Sequence, residues 1–151
     1  MPLFDLTQTA HVTETANATQ PLDNPEGILV HQVNGRTFLF QTSDRDNGVG
    51  RYEVNADGSV TVLGTQSISI ADEDLRALEI VTIGDTTFLI AANDGVEVFA
   101  VGDDGTLASV GTYADGTVIP GSTEGFSTVN IGGTTFVAFA LRNGEFTMHP
   151  M

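Results

Sequence analysis

The chain has 151 residues, enough for a domain with a substantial core, and its 40% hydrophobic content excludes a disordered chain. Its formal net charge is −15, with five arginines and no lysine, which argues against binding to nucleic-acid phosphates or anionic membranes. No window is apolar for long enough to predict a membrane-spanning helix. The absence of cysteine excludes disulfides, thiol catalysis and thiolate metal sites.

Residues 1–10, MPLFDLTQTA, carry a weak strand pattern. Within them Thr7-Gln8 resembles Thr65-Gln66, which ends the fourth strand of the first complete unit. The segment has no basic region and no apolar core, so no secretory signal is predicted. Residues 11–24 are polar and contain proline, which is typical of a loop between units.

Residues 26–65 and 75–112 each predict four β-strands, because short β-branched and aromatic runs alternate with turn residues. Asn34-Gly35, Asp57-Gly58 and Asp104-Gly105 are two-residue hairpin signals. The first unit has predicted strands over Glu26–Val33, Arg36–Thr42, Gly50–Asn55 and Ser59–Leu63. The second has predicted strands over Leu78–Ile83, Thr86–Ala92, Val96–Val101 and Thr106–Thr112.

Residues 124–151 repeat the pattern with only three predicted strands, Phe126–Ile131, Thr134–Leu141 and Glu145–His149. Three phenylalanines align the units. Phe38, Phe88 and Phe136 each follow a threonine, at spacings of 50 and 48 residues. Four-stranded units at this spacing are typical of β-propeller blades, which stack radially because one sheet cannot cover its own two apolar faces. The fold class is therefore all-β, with a propeller predicted and a β-sandwich as the alternative.

The third unit lacks a fourth strand, and residues 1–10 form an unmatched one. Three blades cannot close a ring, whereas two chains supply six, within the usual range of four to eight. We therefore expect a homodimer in which each N-terminal strand completes the partner's third blade in a head-to-tail contact. If the contact does not close, it builds a filament; a fragment of a larger propeller is the other alternative.

The units resemble the blades of lactonase-like and YVTN-type propellers. The resembling pieces are NGRTFLFQTSDRDNGVGRYEVNADGSV and GDTTFLIAANDGVEVFAVGDDGTL, and the resemblance runs from Glu26 onward. It implies the propeller fold and says little about function, since such blades serve hydrolases, binding scaffolds and surface modules. These families usually carry six or seven blades in one chain, so their central site does not transfer to three blades.

Two sets of carboxylates are candidate metal ligands. Asp44 and Asp46 precede Asn47-Gly48 in a tight loop, a pattern of hard oxygen ligands that suits Ca²⁺. The alternative is an acidic turn without an ion. Glu26 and Glu124 begin the first strands of two units and would meet at one mouth of a central channel. Their Glu-Gly pairs also resemble the start of gluconolactonase-type propellers, although Arg76 takes this position in the second unit.

No catalytic motif or cofactor-binding motif is recognisable. His11, His31 and His149 fall at unrelated positions of the repeat, and no catalytic set can be assembled from them. The aromatic residues of the third strands are predicted to lie in the blade cores; they are Tyr52, Phe99 and Phe146.

Three functions remain open. The favoured one is a non-enzymatic structural or binding module, a small acidic self-assembling propeller whose loops contact proteins or a surface. A lectin-like carbohydrate binder is the second, although the chain has no Trp and only two Tyr to form sugar platforms. A metal-dependent hydrolase of the lactonase type, using Glu26 and Glu124, is the third. Cytoplasm, leaderless secretion and a virion fit the sequence equally.

Overall fold

The computed structural model describes residues 24–43, 47–70, 75–113 and 123–151. Within these ranges the chain is all-β: the strands form three antiparallel sheets and there is no helix. The predicted all-β class and the predicted meanders are thereby confirmed. No helix in the described ranges is long and apolar enough to cross a membrane. The predicted strand over residues 1–10 lies outside the described residues.

Sheet A is a four-stranded meander in which each strand pairs with the next along the chain. Its strands are β1 Pro25–Val33, β2 Arg36–Ser43, β3 Gly48–Val54 and β4 Val60–Ser67. Asn34 and Gly35 both have positive φ, 49° and 78°, as a two-residue hairpin turn requires. β4 continues past the predicted end at Leu63, because Thr65 and Gln66 still pair with β3.

Sheet B has the same topology, and the predicted bounds of its second and third strands match the structure. Its strands are β5 Ala77–Ile83, β6 Thr86–Ala92, β7 Val96–Val101 and β8 Leu107–Tyr113. Leu89 and Ile90 are consecutive in β6 and point to opposite faces, yet both are buried. Both faces of sheet B are therefore covered.

Sheet C has three strands in the described residues, β9 Thr123–Ile131, β10 Thr134–Leu141 and β11 Phe146–Pro150. Their order is β11-β10-β9, so β11 pairs with β10 on one side. In sheets A and B the corresponding third strand lies between two neighbours. β11 is thus an edge strand within the described part of sheet C.

The three sheets share one register, which defines two equivalent faces. Each aligned phenylalanine pairs with the same position of its first strand; the pairs are Phe38 with His31, Phe88 with Val81 and Phe136 with Val129. We call the side of each sheet that carries this phenylalanine the Phe face, and the other side the reverse face. Leu39, Leu89 and Val137 follow the phenylalanine and mark the reverse face.

Two apolar cores join the sheets in a directional order. The first places Phe38 and Phe40 of sheet A against Leu89 and Phe99 of sheet B. The second contains Phe88, Ile90 and Val98 of sheet B with Val137, Phe139 and Leu141 of sheet C. In both cases the Phe face of one sheet packs on the reverse face of the next. Between neighbouring sheets, most backbone approaches within 8 Å join β1 to β5 and β5 to β9.

The turn between β7 and β8 of sheet B packs closely against sheet A. Gly105 has φ of 76°, and a Cβ at this position would lie 2.6 Å from the Phe38 ring. Arg51 Nη1 donates to the Gly105 carbonyl oxygen at 3.2 Å. Arg36 stacks over Phe38, with its Cζ 5.0 Å from the ring centroid, and its Nη1 donates to the Asp103 carbonyl oxygen. The close approach of this turn thus depends on glycine.

The buried side chain of Glu97 in sheet B is hydrogen-bonded to the connection that follows β4 of sheet A. Glu97 in β7 is fully buried and accepts hydrogen bonds from the Ser69 backbone N–H at 2.5 Å and the Ser109 hydroxyl at 2.7 Å. The Ser69 hydroxyl donates at 3.3 Å to Glu97 Oε1, the same oxygen that accepts from Ser109, whereas the Ser69 N–H donates to Oε2. Because a buried charge is tolerated only when it is hydrogen-bonded, these donors explain how sheet B accommodates Glu97.

Gly105→Ala should destabilise the protein by more than Gly84→Ala does. Both glycines have positive φ, so both substitutions carry backbone strain of roughly 1 to 3 kcal/mol. Only Gly105 also faces a ring, since nothing lies within 4 Å of a Cβ built on Gly84. Urea unfolding of the two variants measures the difference in their free energies of unfolding. Equal losses of stability would contradict the close packing of this turn on Phe38.

Candidate functional site

The predicted calcium loop cannot be compared with the structure, because Asp44 and Asp46 lie outside the described residues. The Ca²⁺ assignment to this loop stays a prediction.

The predicted channel carboxylates are placed at the starts of β1 and β9. Glu26 is exposed and accepts a hydrogen bond from Asn24 Nδ2 at 3.4 Å. Glu124 accepts one from Arg142 Nε at 2.6 Å, in an exposed ion pair. Among the described residues, no three His, Asp or Glu side chains gather closely enough to hold a metal ion. A metal site at Glu26 and Glu124 stays a prediction.

The carboxylates with displaced pKa values lie at surface turns and pairs. Arg36 donates to both oxygens of Glu53 at 2.8 Å, and this hydrogen bonding lowers the pKa of Glu53. The Thr106 hydroxyl does the same to Asp104, and the Ser59 hydroxyl to Asp57. A neighbouring donor stabilises each of these anions. Such hydrogen bonds are typical of surface turns, so the lowered pKa values do not by themselves indicate a functional site.

The Phe face of sheet C is a broad apolar surface without a neighbouring sheet in the described residues. Phe146 is 76% exposed, Met148 48% and Val129 44%. The prediction that Phe146 lies in a core is therefore wrong, whereas Tyr52 and Phe99 are buried as predicted. The reason is that this face would need a further sheet to cover it.

The reverse face of sheet A has no neighbouring sheet among the described residues. It is exposed along β1 and β4, although Tyr52 at its centre is buried. Ile28 and Val30 in β1 are 69% and 59% exposed, and Val62 in β4 is also exposed. Strand pairing places them on the side of Leu39 and Tyr52. The equivalent positions of sheet B, Leu78 and Ile80, pack against the first core. Among the described residues, one Phe face and one reverse face therefore have no neighbouring sheet, and they lie at opposite ends of the stack.

An open apolar cleft of about 390 Å³ separates the outer parts of sheets B and C. Phe88, Val98, Val110 and Tyr113 line it from sheet B, and His149 and Met151 line it from sheet C. The cleft lies beside the β11 edge. A further strand added to β11 would pass directly along it.

His149 brings a polar atom to this cleft. Its ring centroid lies 6.1 Å from that of Phe139, and its Nε2 is buried with no hydrogen-bond partner in the described part of the chain. The Phe139 ring in turn packs on Phe126 at 5.2 Å. His31 is half-buried in β1 of a different sheet, so the structure does not bring the two histidines together.

The sequence did not reveal the cleft or the two uncovered faces as sites. A signal was present, since residues 124–151 predict only three strands. In the described residues sheet C has no fourth strand, and the Phe face of sheet B is open beside β8. The repeat pattern does not show which face of one sheet packs on which face of the next. Comparison with protein-family models and with curated proteins finds no match to this chain.

Arg36→Gln should lower stability more at neutral pH than in acid. The Glu53 pKa lies below its ordinary value of 4.5 in the folded chain, so this ionised pair stabilises the fold above that value. The contribution is lost as pH falls through the lowered folded pKa. Unfolding free energies of both proteins, measured from about pH 7 to about pH 3, should therefore converge in acid.

The Glu53→Gln background is the control for this prediction. There most of the pH dependence of the Arg36→Gln effect should disappear. The contacts of Arg36 with Phe38 and with Asp103 remain, together with a weaker charge interaction with Asp104. A wild-type difference that does not change with pH would show that the pair does not account for the lowered pKa.

Proposed function

We propose that this chain is a non-enzymatic structural or binding module that assembles into a homodimeric six-bladed β-propeller. The observation that carries the proposal is the pair of faces that have no neighbouring sheet among the described residues, both of which expose apolar side chains. Within the chain, a Phe face twice packs on a reverse face, and the two faces left over are one of each kind. A second copy can therefore repeat the same packing without a new type of contact.

The apolar character of both faces supports this assembly. Covering one Val, Ile, Phe or Met side chain contributes roughly 1.5 to 3 kcal/mol. Contiguous exposed apolar surfaces are uncommon on monomers and mark interaction sites. A contact between unlike faces is head-to-tail, so it either closes into a ring or extends into a fibre.

Closure after two copies is favoured by the way the sheets approach one another. The first strands β1, β5 and β9 are the closest between neighbouring sheets. Sheets that converge at their first strands form a fan, which curves round an axis, whereas a flat stack would grow without closing. Two chains supply six sheets, within the four to eight of known propellers.

In this ring the connecting turns would form two rims, which would present acidic loops to a protein or surface partner. The net charge of −15 per chain favours partners with basic surfaces.

Two face variants test the head-to-tail contact by complementation. Phe146→Asp places a charge on the Phe face of sheet C, and Ile28→Asp places one on the reverse face of sheet A. Each should weaken the dimer on the order of 100-fold, because a charge enters an apolar contact. Both residues are well exposed in the single chain, so the fold itself should tolerate either change.

Light scattering with size exclusion gives the masses of each variant alone and of their mixture. Each variant should be a monomer, and a one-to-one mixture should regain the mass of two chains, since one intact face of each kind remains. Ala56→Asp, in an exposed turn away from both faces, is the matched control and should stay dimeric. A monomeric wild type would refute the assembly. If two identical faces met instead, one of the two variants would stay dimeric on its own. Mixing would then not return the other variant to the mass of two chains.

A further inference from the structure

We infer that the cleft between β8 and β11 is the binding site for a β-strand, and that residues 1–10 of a second copy supply this strand. The inference rests on the ring assembly proposed above and adds to it the register and the contacts of the exchanged strand. Two features of the described chain and one of the sequence lead to it. They are the edge of β11, the contents of the equivalent position between sheets A and B, and the amino-acid pattern of residues 1–10.

The β11 edge provides the backbone template. Within the described residues β11 pairs only with β10, whereas β3 and β7 each have a fourth strand, β4 and β8, on the other side. An edge strand presents unpaired N–H and C=O groups, which an extended segment can satisfy by adding as a strand.

The interface between sheets A and B indicates what belongs in the cleft. There, Phe38 is covered by Gly105 and by the first core, which includes Leu107 at the start of β8. Phe88 is the counterpart of Phe38 and lines the open cleft. The start of a fourth strand in sheet C would therefore bring an apolar side chain over Phe88, as Leu107 does for Phe38.

Residues 1–10 fit this position in one register. Both β4 and β8 contain a bulge next to a glycine, Gly64 or Gly111, where the pairing shifts by one residue. The N-terminal segment has no glycine, so we place it without a bulge, with Thr7 equivalent to Thr65 and Thr112.

This register gives Leu3, Phe4 and Leu6 defined positions on sheet C. Leu3 takes the position of Leu107, facing the cleft. Asp5 then lies opposite His149, whose buried Nε2 lacks a partner among the described residues. Phe4 and Leu6 point to the other side and extend the Phe face of sheet C, with Leu6 opposite Met148.

A second copy is the donor that the ring geometry favours. In the proposed contact, the reverse face of sheet A lies on the Phe face of the partner's sheet C, which places the start of β1 beside that sheet. Residues 11–24 can span about 45 Å when extended, well beyond one sheet spacing of about 10 Å. Within one chain, sheet B lies between sheet A and sheet C.

Cysteine cross-linking tests this inference, since the natural chain has no cysteine to interfere. In the double variant Leu6→Cys with Met148→Cys, oxidation should join most chains into covalent dimers on a non-reducing gel. The matched control is Asp5→Cys with Met148→Cys, in which strand alternation directs the two sulfurs to opposite faces. It should give little covalent dimer.

Light scattering of the reduced variants separates this inference from the assembly itself. Reduced dimers that do not cross-link would overturn the strand site and leave the six-bladed ring in place. A disulfide formed within one chain would show that the strand comes from the same chain and not from a second copy. Equal cross-linking of the two cysteine pairs would show that the proposed register is wrong. Reduced monomers, for variants and wild type alike, would refute the ring and with it the exchanged strand.

Discussion

Every sheet of this protein has two apolar faces, and neither can be left in water without cost. Sheet B comes closest to meeting this requirement, since Leu89 packs towards sheet A and Ile90 towards sheet C, and only the part beside β8 stays open. Among the described residues, sheets A and C each have a neighbouring sheet on one face. The exposure of Ile28 at one end and of Phe146 at the other follows directly from this shortage of neighbours.

The contact between neighbouring sheets is directional, and the direction is set by small features. Gly105 brings the turn after β7 onto Phe38, and Arg51 and Arg36 of sheet A hold that turn by its carbonyl oxygens. The contact between sheets B and C has no such turn from sheet C in the described residues, and a cleft opens there instead. The proposed assembly and the proposed strand exchange both continue a packing rule already present twice within one chain.

Sequence reasoning succeeded where the signal is local. The bounds of β6, β7 and β10 were predicted residue for residue, because β-branched and aromatic runs end at Gly, Asn and Asp turns. It ended β4 too early at Leu63, since the polar pair Thr65-Gln66 carries no apolar alternation and is held only by pairing with β3. Phe146 was predicted to lie in a core because it belongs to a third strand, as Tyr52 and Phe99 do, but its surroundings depend on a sheet that the described chain does not supply.

The candidate sites divide in the same way. The carboxylates of Glu26 and Glu124 could be selected from the repeat, yet the Arg142 pairing of Glu124 and its distance along the stack from Glu26 needed the fold. Strand period, turn glycines and repeat register were determined by the sequence, because each depends on neighbours close along the chain. Which face meets which, which edge stays open and where His149 points were decided only by the tertiary structure, because these depend on residues far apart in sequence that meet when the sheets stack.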